Sequence, residues 1–131
     1  MTDSKIATVQ AVYEAFGRGD VATILDNLTE DVDWSAEAIP VAPWHGACHG
    51  KGEVPRFFTE LAAAEEVTEF TPLSFTSNDD DVMVAIRYAS TARATGKPAS
   101  MLIVHWWKFR GDKICFYRGT EDTAQTAAQL A

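Results

Sequence analysis

Basic residues, cysteines and long apolar runs are scarce in this sequence, and each shortage excludes a class of protein. Eleven Lys and Arg residues face 19 Asp and Glu residues, so the formal net charge is -8. A nucleic-acid partner is therefore not expected, because binding to phosphates requires clustered basic side chains. No apolar run approaches the roughly 18 residues of a membrane-spanning helix, so no membrane partner is expected either.

The N-terminal segment MTDSKIATVQ lacks the basic, apolar and small-residue order of a secretion signal. We therefore expect a cytoplasmic protein. Disulfides are rare in that compartment, so the sequence predicts that Cys48 and Cys115 are free thiols.

The composition is that of an ordinary globular domain. Apolar residues make up 47% and charged residues 23% of the 131 residues. A chain of this length buries a single core, and it contains no internal repeat or low-complexity tract. The sequence therefore predicts one domain over residues 1–131.

The segment from Ala99 to Asp122 carries the clearest structural pattern. Two apolar runs flank the turn Arg110 to Lys113, and both are rich in β-branched and aromatic residues, which predicts a β-hairpin. Alternation along the first run places His105 on an apolar face. The other residues on this face are Met101, Ile103, Trp107 and Phe109. A buried imidazole needs a hydrogen-bond partner, since leaving it unpaired costs about 1–3 kcal/mol; a structural acceptor and a bound molecule both remain open.

Helical spacing of apolar residues predicts three helices in the first half of the chain. The first spans Asp3 to Gly17, capped by Asp3 or Ser4, and Asp20 caps a second, shorter helix. The third spans Lys51 to Ala64. Its first turn contains Pro55, where the missing N–H is harmless.

The remaining segments predict strands, one long loop and a tail. Pro40, Pro43, Gly46 and Gly50 argue against regular structure from Glu37 to Gly50. The predicted strands outside the hairpin are Thr29–Ala36, Val67–Ser77 and Val82–Ala92, and Thr123–Ala131 is predicted to be a frayed helix or tail. Helices followed by four antiparallel strands indicate an α+β fold. The helices cover one face of the sheet, and a second copy is expected to cover the other through Leu102, Val104 and Trp106, which predicts a homodimer.

The order of these elements resembles the nuclear transport factor 2-like superfamily and, within it, SnoaL-like polyketide cyclases and ketosteroid isomerase-related proteins. The resemblance covers nearly the whole chain. Its motifs are FGRGD (16–20), LTEDVDW (28–34), Gly46 and Gly50 ahead of Phe57 and Phe58, and GDKI (111–114) running to Asp122. It implies a cystatin-like α+β roll: a cone-shaped, curved antiparallel sheet wrapped around three N-terminal helices. It also implies an apolar pocket and dimers through the sheet. Members include isomerases, cyclases, dehydratases and hydrolases and also proteins without catalysis, so the resemblance does not fix the function.

The resemblance assigns site residues one position at a time. The oxyanion-stabilising acid of ketosteroid isomerases corresponds to His105, whose neutral imidazole can donate to a developing enolate. The isomerase base corresponds to Ala36, so the adjacent Glu37 is the nearest substitute. The isomerase tyrosine corresponds to Val12, with Tyr13 one step away.

In SnoaL-type cyclases the acid of the last strand corresponds to Gly119, and Glu121 follows two residues later on the same face. Three carboxylates are candidates to orient His105 as a base or acid. They are Glu37, Glu121 and Asp122, which with His105 form the predicted catalytic set.

Aromatic and polar side chains elsewhere are candidates for pocket walls, against the alternative that each only fills the core. The predicted pocket residues are Trp34, Trp44, His45, Phe57, Phe75, Arg87, Trp107 and Tyr117. Arg87 either meets an anionic ligand group or pairs with Glu69 across strands. His45, Cys48 and His49 are metal-competent donors, but a loop with polar tips is preferred to a metal site, and no metal or cofactor is expected.

Three functions remain open from the sequence. The first is a cofactor-free isomerase, cyclase or dehydratase acting on a small apolar or aromatic carbonyl compound. The second is a non-catalytic binding domain, and the third is a dimerisation module. An open pocket with His105 bonded to a carboxylate favours catalysis, an open pocket without that pair favours binding, and a filled interior favours dimerisation alone.

Overall fold

A curved, six-stranded sheet packs its inner face against helices in the computed structural model of the chain, which describes residues 3–131. The predicted α+β class is confirmed. The helices are α1 (Ser4–Gly17), α2 (Val21–Asp26), α3 (Val54–Ala64) and α4 (Thr123–Leu130), and the strands are β1 (Leu28–Glu37), β2 (Gly46–His49), β3 (Glu65–Ser77), β4 (Asp81–Ala92), β5 (Pro98–Arg110) and β6 (Lys113–Thr120).

Side-chain caps begin the first two helices, as predicted. Asp3 accepts the backbone N–H of Lys5 at 2.8 Å, and Asp20 accepts that of Thr23 at 3.1 Å. Pro55 lies in the first turn of α3, which a short 3₁₀ turn over 51–53 precedes. None of the helices within residues 3–131 is long and apolar enough to cross a membrane.

The strand order is β2-β1-β6-β5-β4-β3, and β1 runs parallel to β6. Trp34 is paired with Tyr117 in this parallel ladder. The predicted antiparallel sheet is confirmed for the four other strand pairs, and the pairing of β1 with β6 was not predicted. Hydrophobic alternation identifies a strand and its inner face, but it does not identify the neighbouring strand.

The segment 37–50 is not entirely loop, which corrects a second prediction. Residues 46–49 form the edge strand β2, and Cys48 is paired with Trp34 of β1. Gly46 begins this strand and Gly50 follows it, with φ of 96° and 86°, values that disfavour other residues. The two glycines turn the chain at the ends of β2, and the residues from 46 to 49 pair regularly with β1.

The hairpin of β5 and β6 is as predicted, with Gly111 at φ 63° in its turn. Its inner residues, from Met101 to Phe109, are buried, whereas Leu102 on the outer face is 54% exposed. Cys48 and Cys115 are free thiols, also as predicted.

The C-terminal segment is a packed helix rather than a frayed tail. Asp122 caps α4 by accepting the backbone N–H of Gln125 at 3.2 Å. The Gln129 side chain is buried and donates to the carbonyls of Ser90 and Lys97, both at 3.2 Å. These hydrogen bonds hold α4 against β4 and against the turn before β5.

Candidate functional site

A cavity of about 90 Å³ lies between the helices and the inner face of the sheet. We call it the inner cavity. Helix α1 contributes Val12 and Tyr13 to its wall, and the hairpin contributes Ile103, His105 and Tyr117. Eight further aromatic residues line it, so its interior favours apolar and ring-containing molecules over strongly hydrated ones.

His105 lines this cavity at the end of a chain of three hydrogen-bonded side chains. The indole N–H of Trp107 donates to the Tyr13 hydroxyl at 3.1 Å, and that hydroxyl lies 2.8 Å from Nδ1 of His105. The Tyr13 O–H has no other acceptor among residues 3–131, so it donates to Nδ1. This arrangement places the imidazole proton on Nε2.

The His105 imidazole is neutral. The residue is 8% exposed, and its burial lowers the pKa to about 3. Within the described residues, Nε2 makes no hydrogen bond. His105 therefore offers the inner cavity one uncharged N–H donor at neutral pH.

Glu121 also lines the inner cavity, together with Trp44 from the segment that the sequence predicted to be a loop. The indole N–H of Trp44 donates to Oε1 of Glu121 at 2.9 Å. The second oxygen, Oε2, is buried and has no hydrogen-bond partner among the described residues. The carboxylate is thus held at one oxygen and free at the other.

A second carboxylate, Glu65, lies in the wall at the start of β3. It is 3% exposed, and its Oε2 also has no partner within residues 3–131. Burial raises the pKa of Glu65, the Ser90 side chain opposes that rise, and the charge of Glu121 adds to it. Both carboxylates therefore belong to the wall of the same cavity.

Gly119 explains why the acid of SnoaL-type cyclases has no counterpart here. A Cβ built at Gly119 overlaps the Tyr117 hydroxyl, lies 2.9 Å from Tyr117 Cζ and lies 3.3 Å from Cδ2 of His105. The space for a side chain at position 119 is therefore filled by the Tyr117 phenol. Any larger residue at 119 must displace that ring.

The structure places five of the eight predicted pocket residues in the cavity wall: Trp34, Trp44, Phe57, Trp107 and Tyr117. The other three do not line it. His45 is exposed on the loop and its Nδ1 donates to the Ala42 carbonyl at 3.1 Å. Arg87 is exposed, because the alternation of β4 turns Val84, Ile86 and Tyr88 inward and Arg87 outward.

Phe75 lies outside the cavity wall and packs instead against Tyr13, with ring centroids 6.1 Å apart. Strand β3 shifts register between Pro72 and Ser74. A simple alternation read along the sequence therefore does not extend through this strand.

Two of the predicted catalytic carboxylates are elsewhere. Glu37 is exposed at the end of β1, and Asp122 is exposed and occupied as the cap of α4. The imidazole of His105 is bonded to the Tyr13 hydroxyl rather than to a carboxylate. Only His105 and Glu121 of the predicted set line the cavity.

The donors considered for a metal are spread apart by β2. Cys48 is buried beneath the sheet edge, where Arg56 Nη2 lies 3.5 Å from its sulfur, whereas His45 and His49 are exposed. Within residues 3–131 no group of three metal-competent side chains comes together.

Sequence reasoning missed Glu65. It named Tyr13 as one position from the residue that the isomerase resemblance selects, but it did not predict the hydrogen bond of Tyr13 to His105. Glu65 directly follows a helix and begins an irregular strand, so no alternation indicates which way it points.

Comparison with family models identifies the fold family. The model of the SnoaL-like domain matches residues 9–117. The chain is a SnoaL-like domain. A comparison with curated protein sequences finds no match.

Solved structures similar to this SnoaL-like domain include three that cover nearly all of it. An NTF2-like protein of unknown function from Burkholderia pseudomallei is 26% identical over 99% of both chains, with a TM-score of 0.91. TerC, co-crystallised with polyporic acid, is 22% identical over 98% of both chains, with a TM-score of 0.88. A protein of ketosteroid isomerase-like fold from Catenulispora acidiphila, in complex with trimethylamine, is 14% identical over 94% of this chain and 91% of its own, with a TM-score of 0.79.

Proposed function

We propose that this SnoaL-like domain binds a small, largely apolar carbonyl compound in the inner cavity and moves a proton on it without a cofactor. One observation carries the proposal. The inner cavity holds an unused, neutral N–H donor on His105 and an unpaired carboxylate oxygen on Glu121.

His105 supplies the electrophilic half of the proposed reaction. A carbonyl oxygen that accepts from Nε2–H becomes more electron-poor, and the same bond strengthens as the oxygen gains charge in an enolate. Tyr13 holds the imidazole in the required tautomer through its bond to Nδ1. Because the pKa of His105 is low, the ring is a neutral imidazole at neutral pH, and Nδ1 can accept from Tyr13.

Glu121 supplies the base. Its free oxygen takes a proton from the carbon next to the carbonyl, which leaves an enolate hydrogen-bonded to His105. The protonated carboxyl then returns the proton to another carbon of the same molecule, or to the original one. The carboxylate is regenerated, so the step requires no oxidant, reductant or second substrate.

Binding without turnover is the second candidate, and one observation favours it: His105 is bonded to a tyrosine rather than to a carboxylate. Two structural neighbours were crystallised with small molecules, TerC with polyporic acid and the Catenulispora protein with trimethylamine. These complexes support small-molecule binding by proteins of this fold, with or without catalysis.

Exchange of the methyl protons of acetophenone in D₂O tests the catalytic proposal. The wild-type protein is expected to accelerate exchange over buffer, as followed by proton NMR. Removing one oxyanion donor typically costs about 10²-fold in rate, so we expect His105→Leu, which has no N–H donor, to slow exchange about 10²-fold. Glu121→Gln is expected to lose exchange as well, because it removes the base.

The exposed His49 provides the matched control, since His49→Leu leaves the inner cavity intact. It is expected to exchange at the wild-type rate. Acetophenone that binds with no exchange above buffer identifies a binding domain instead. Equal exchange by wild type and His105→Leu removes this imidazole from the mechanism.

We also propose a homodimer formed through the outer face of the sheet. Leu102 is 54% exposed and Met83 is 39% exposed on that face in the isolated chain. Both lie on the central strands β4 and β5, where a second copy can cover them. Sedimentation velocity is expected to show a dimer that Leu102→Glu converts to monomer, while Val41→Glu, on the exposed loop, does not; a wild-type monomer at all concentrations contradicts the proposal.

A further inference from the structure

One end of the inner cavity is acidic and contains no compensating cation. We define the acidic end by Glu65, Tyr88, Ser90, Glu121 and Gln129, all of which line the cavity. The described part of the chain places no Lys or Arg in the cavity wall. Its salt bridges include neither Glu65 nor Glu121.

The polar neighbours of Glu65 leave one of its oxygens without a partner. Gln129 directs its amide N–H groups to Ser90 and to the Lys97 carbonyl, so they do not serve the carboxylate. Arg93 lines an adjoining groove that Glu65 also lines, but it donates its Nε–H to the Ala62 carbonyl at 2.9 Å and forms no salt bridge with Glu65. Oε2 of Glu65 is thus a buried acceptor in the cavity wall that a ligand can satisfy.

The rest of the acidic end suits a cation. Tyr88, Trp44 and Tyr117 contribute aromatic rings to the same wall as the two carboxylates. Aromatic faces attract organic cations, most strongly where water is excluded. A buried carboxylate without a counter-charge is unfavourable, and an ammonium group placed against it forms a charge-assisted hydrogen bond.

We infer that the acidic end binds the protonated amine of the ligand, with the free oxygen of Glu65 as its acceptor. The inference rests on the proposed function, because it assigns a second group on the molecule whose carbonyl meets His105. Glu121 adds negative charge beside this ion pair. The ligand class is therefore a small amino-carbonyl compound with an apolar body.

Isothermal titration calorimetry at pH 7.5 with two ligands tests the inference. Benzylamine is protonated at this pH, and benzyl alcohol is neutral and similar in size. We expect wild type to bind benzylammonium at least tenfold more tightly than benzyl alcohol. Glu65→Gln keeps the side-chain volume and removes the charge, so the amine affinity is expected to fall at least tenfold while the alcohol affinity stays within twofold. The matched control is Glu66→Gln, because Glu66 is the exposed neighbour on the same strand.

Equal wild-type affinities for the amine and the alcohol overturn the inference, as does a Glu65→Gln variant that weakens both ligands equally. The affinities of wild type for the two ligands test the inference even where Glu65→Gln does not fold. Acetophenone is the third probe, and its proton exchange tests the proposed function separately. Retained acetophenone exchange that depends on His105, with no preference for the amine, overturns only this inference; no binding of any of the three probes overturns both it and the proposed function.

Discussion

Replacing Trp34 with alanine is expected to lower the free energy of unfolding by about 3–5 kcal/mol, the range for large aromatic-to-alanine changes in a core. Trp34 is 2% exposed and stacks on Tyr117 with ring centroids 4.2 Å apart. It also contacts Phe57 and Trp107 edge to face. Its removal leaves a void where β1, β6 and α3 meet, and urea denaturation of wild type and variant measures the cost.

Trp34→Phe separates packing from hydrogen bonding at this position. The indole N–H of Trp34 is buried without a partner among the described residues, so phenylalanine loses no hydrogen bond and retains a ring against Tyr117. We expect it to cost less than half as much as alanine. A loss below about 1 kcal/mol for Trp34→Ala, small for a core aromatic, would show that this region is not a packed core.

Replacing Gly119 with alanine is expected to destabilise the fold by about 3 kcal/mol, the upper part of the usual range for overpacking. The added methyl overlaps the Tyr117 hydroxyl, and Tyr117 is held in place by Trp34 and Trp107. The ring must therefore move into the inner cavity or disrupt its stack. Chemical denaturation gives the stability change, and the benzyl alcohol titration reports whether the cavity has been narrowed.

Tyr117→Phe provides the internal check on that explanation. It removes the hydroxyl that the new methyl meets first and leaves the approaches of 2.9 Å to Cζ of Tyr117 and 3.3 Å to Cδ2 of His105. Gly119→Ala should therefore cost distinctly less in the Tyr117→Phe background, whereas Gly52→Ala, which faces open space, should be nearly neutral. Equal costs of Gly119→Ala in both backgrounds would exclude the phenol as the cause.

The architecture was largely predictable because the strongest sequence signals are local. Asp3 and Asp20 mark helix starts through their own backbone contacts, and the alternation around His105 sets the inner face of β5. The parallel pairing of β1 with β6 was not predictable, since it depends on two distant segments meeting. The family resemblance supplied the cone shape but not this register.

The site was only partly predictable, for a related reason. His105, Glu121 and Trp107 lie on or just beyond the hairpin, where alternation is regular, and all three line the cavity. Glu65 enters the cavity wall from a junction between a helix and an irregular strand, where neither the helical nor the strand period applies. Arg87 was named for its charge and Phe75 for its ring, but Arg87 lies on the outer face of β4 and Phe75 follows a register shift in β3.

The parallel contact between β1 and β6 also determines when the protein can finish folding during synthesis. β1 is synthesised before the other strands, but its neighbour β6 leaves the ribosome only when almost the whole polypeptide has been made. Until then β1 and its short neighbour β2 are separate from the three strands β3, β4 and β5, and closure between such distant segments is slow. Assembly of the curved sheet therefore completes in one late event, and a nascent chain that stops before position 113 has no strand to join its two parts.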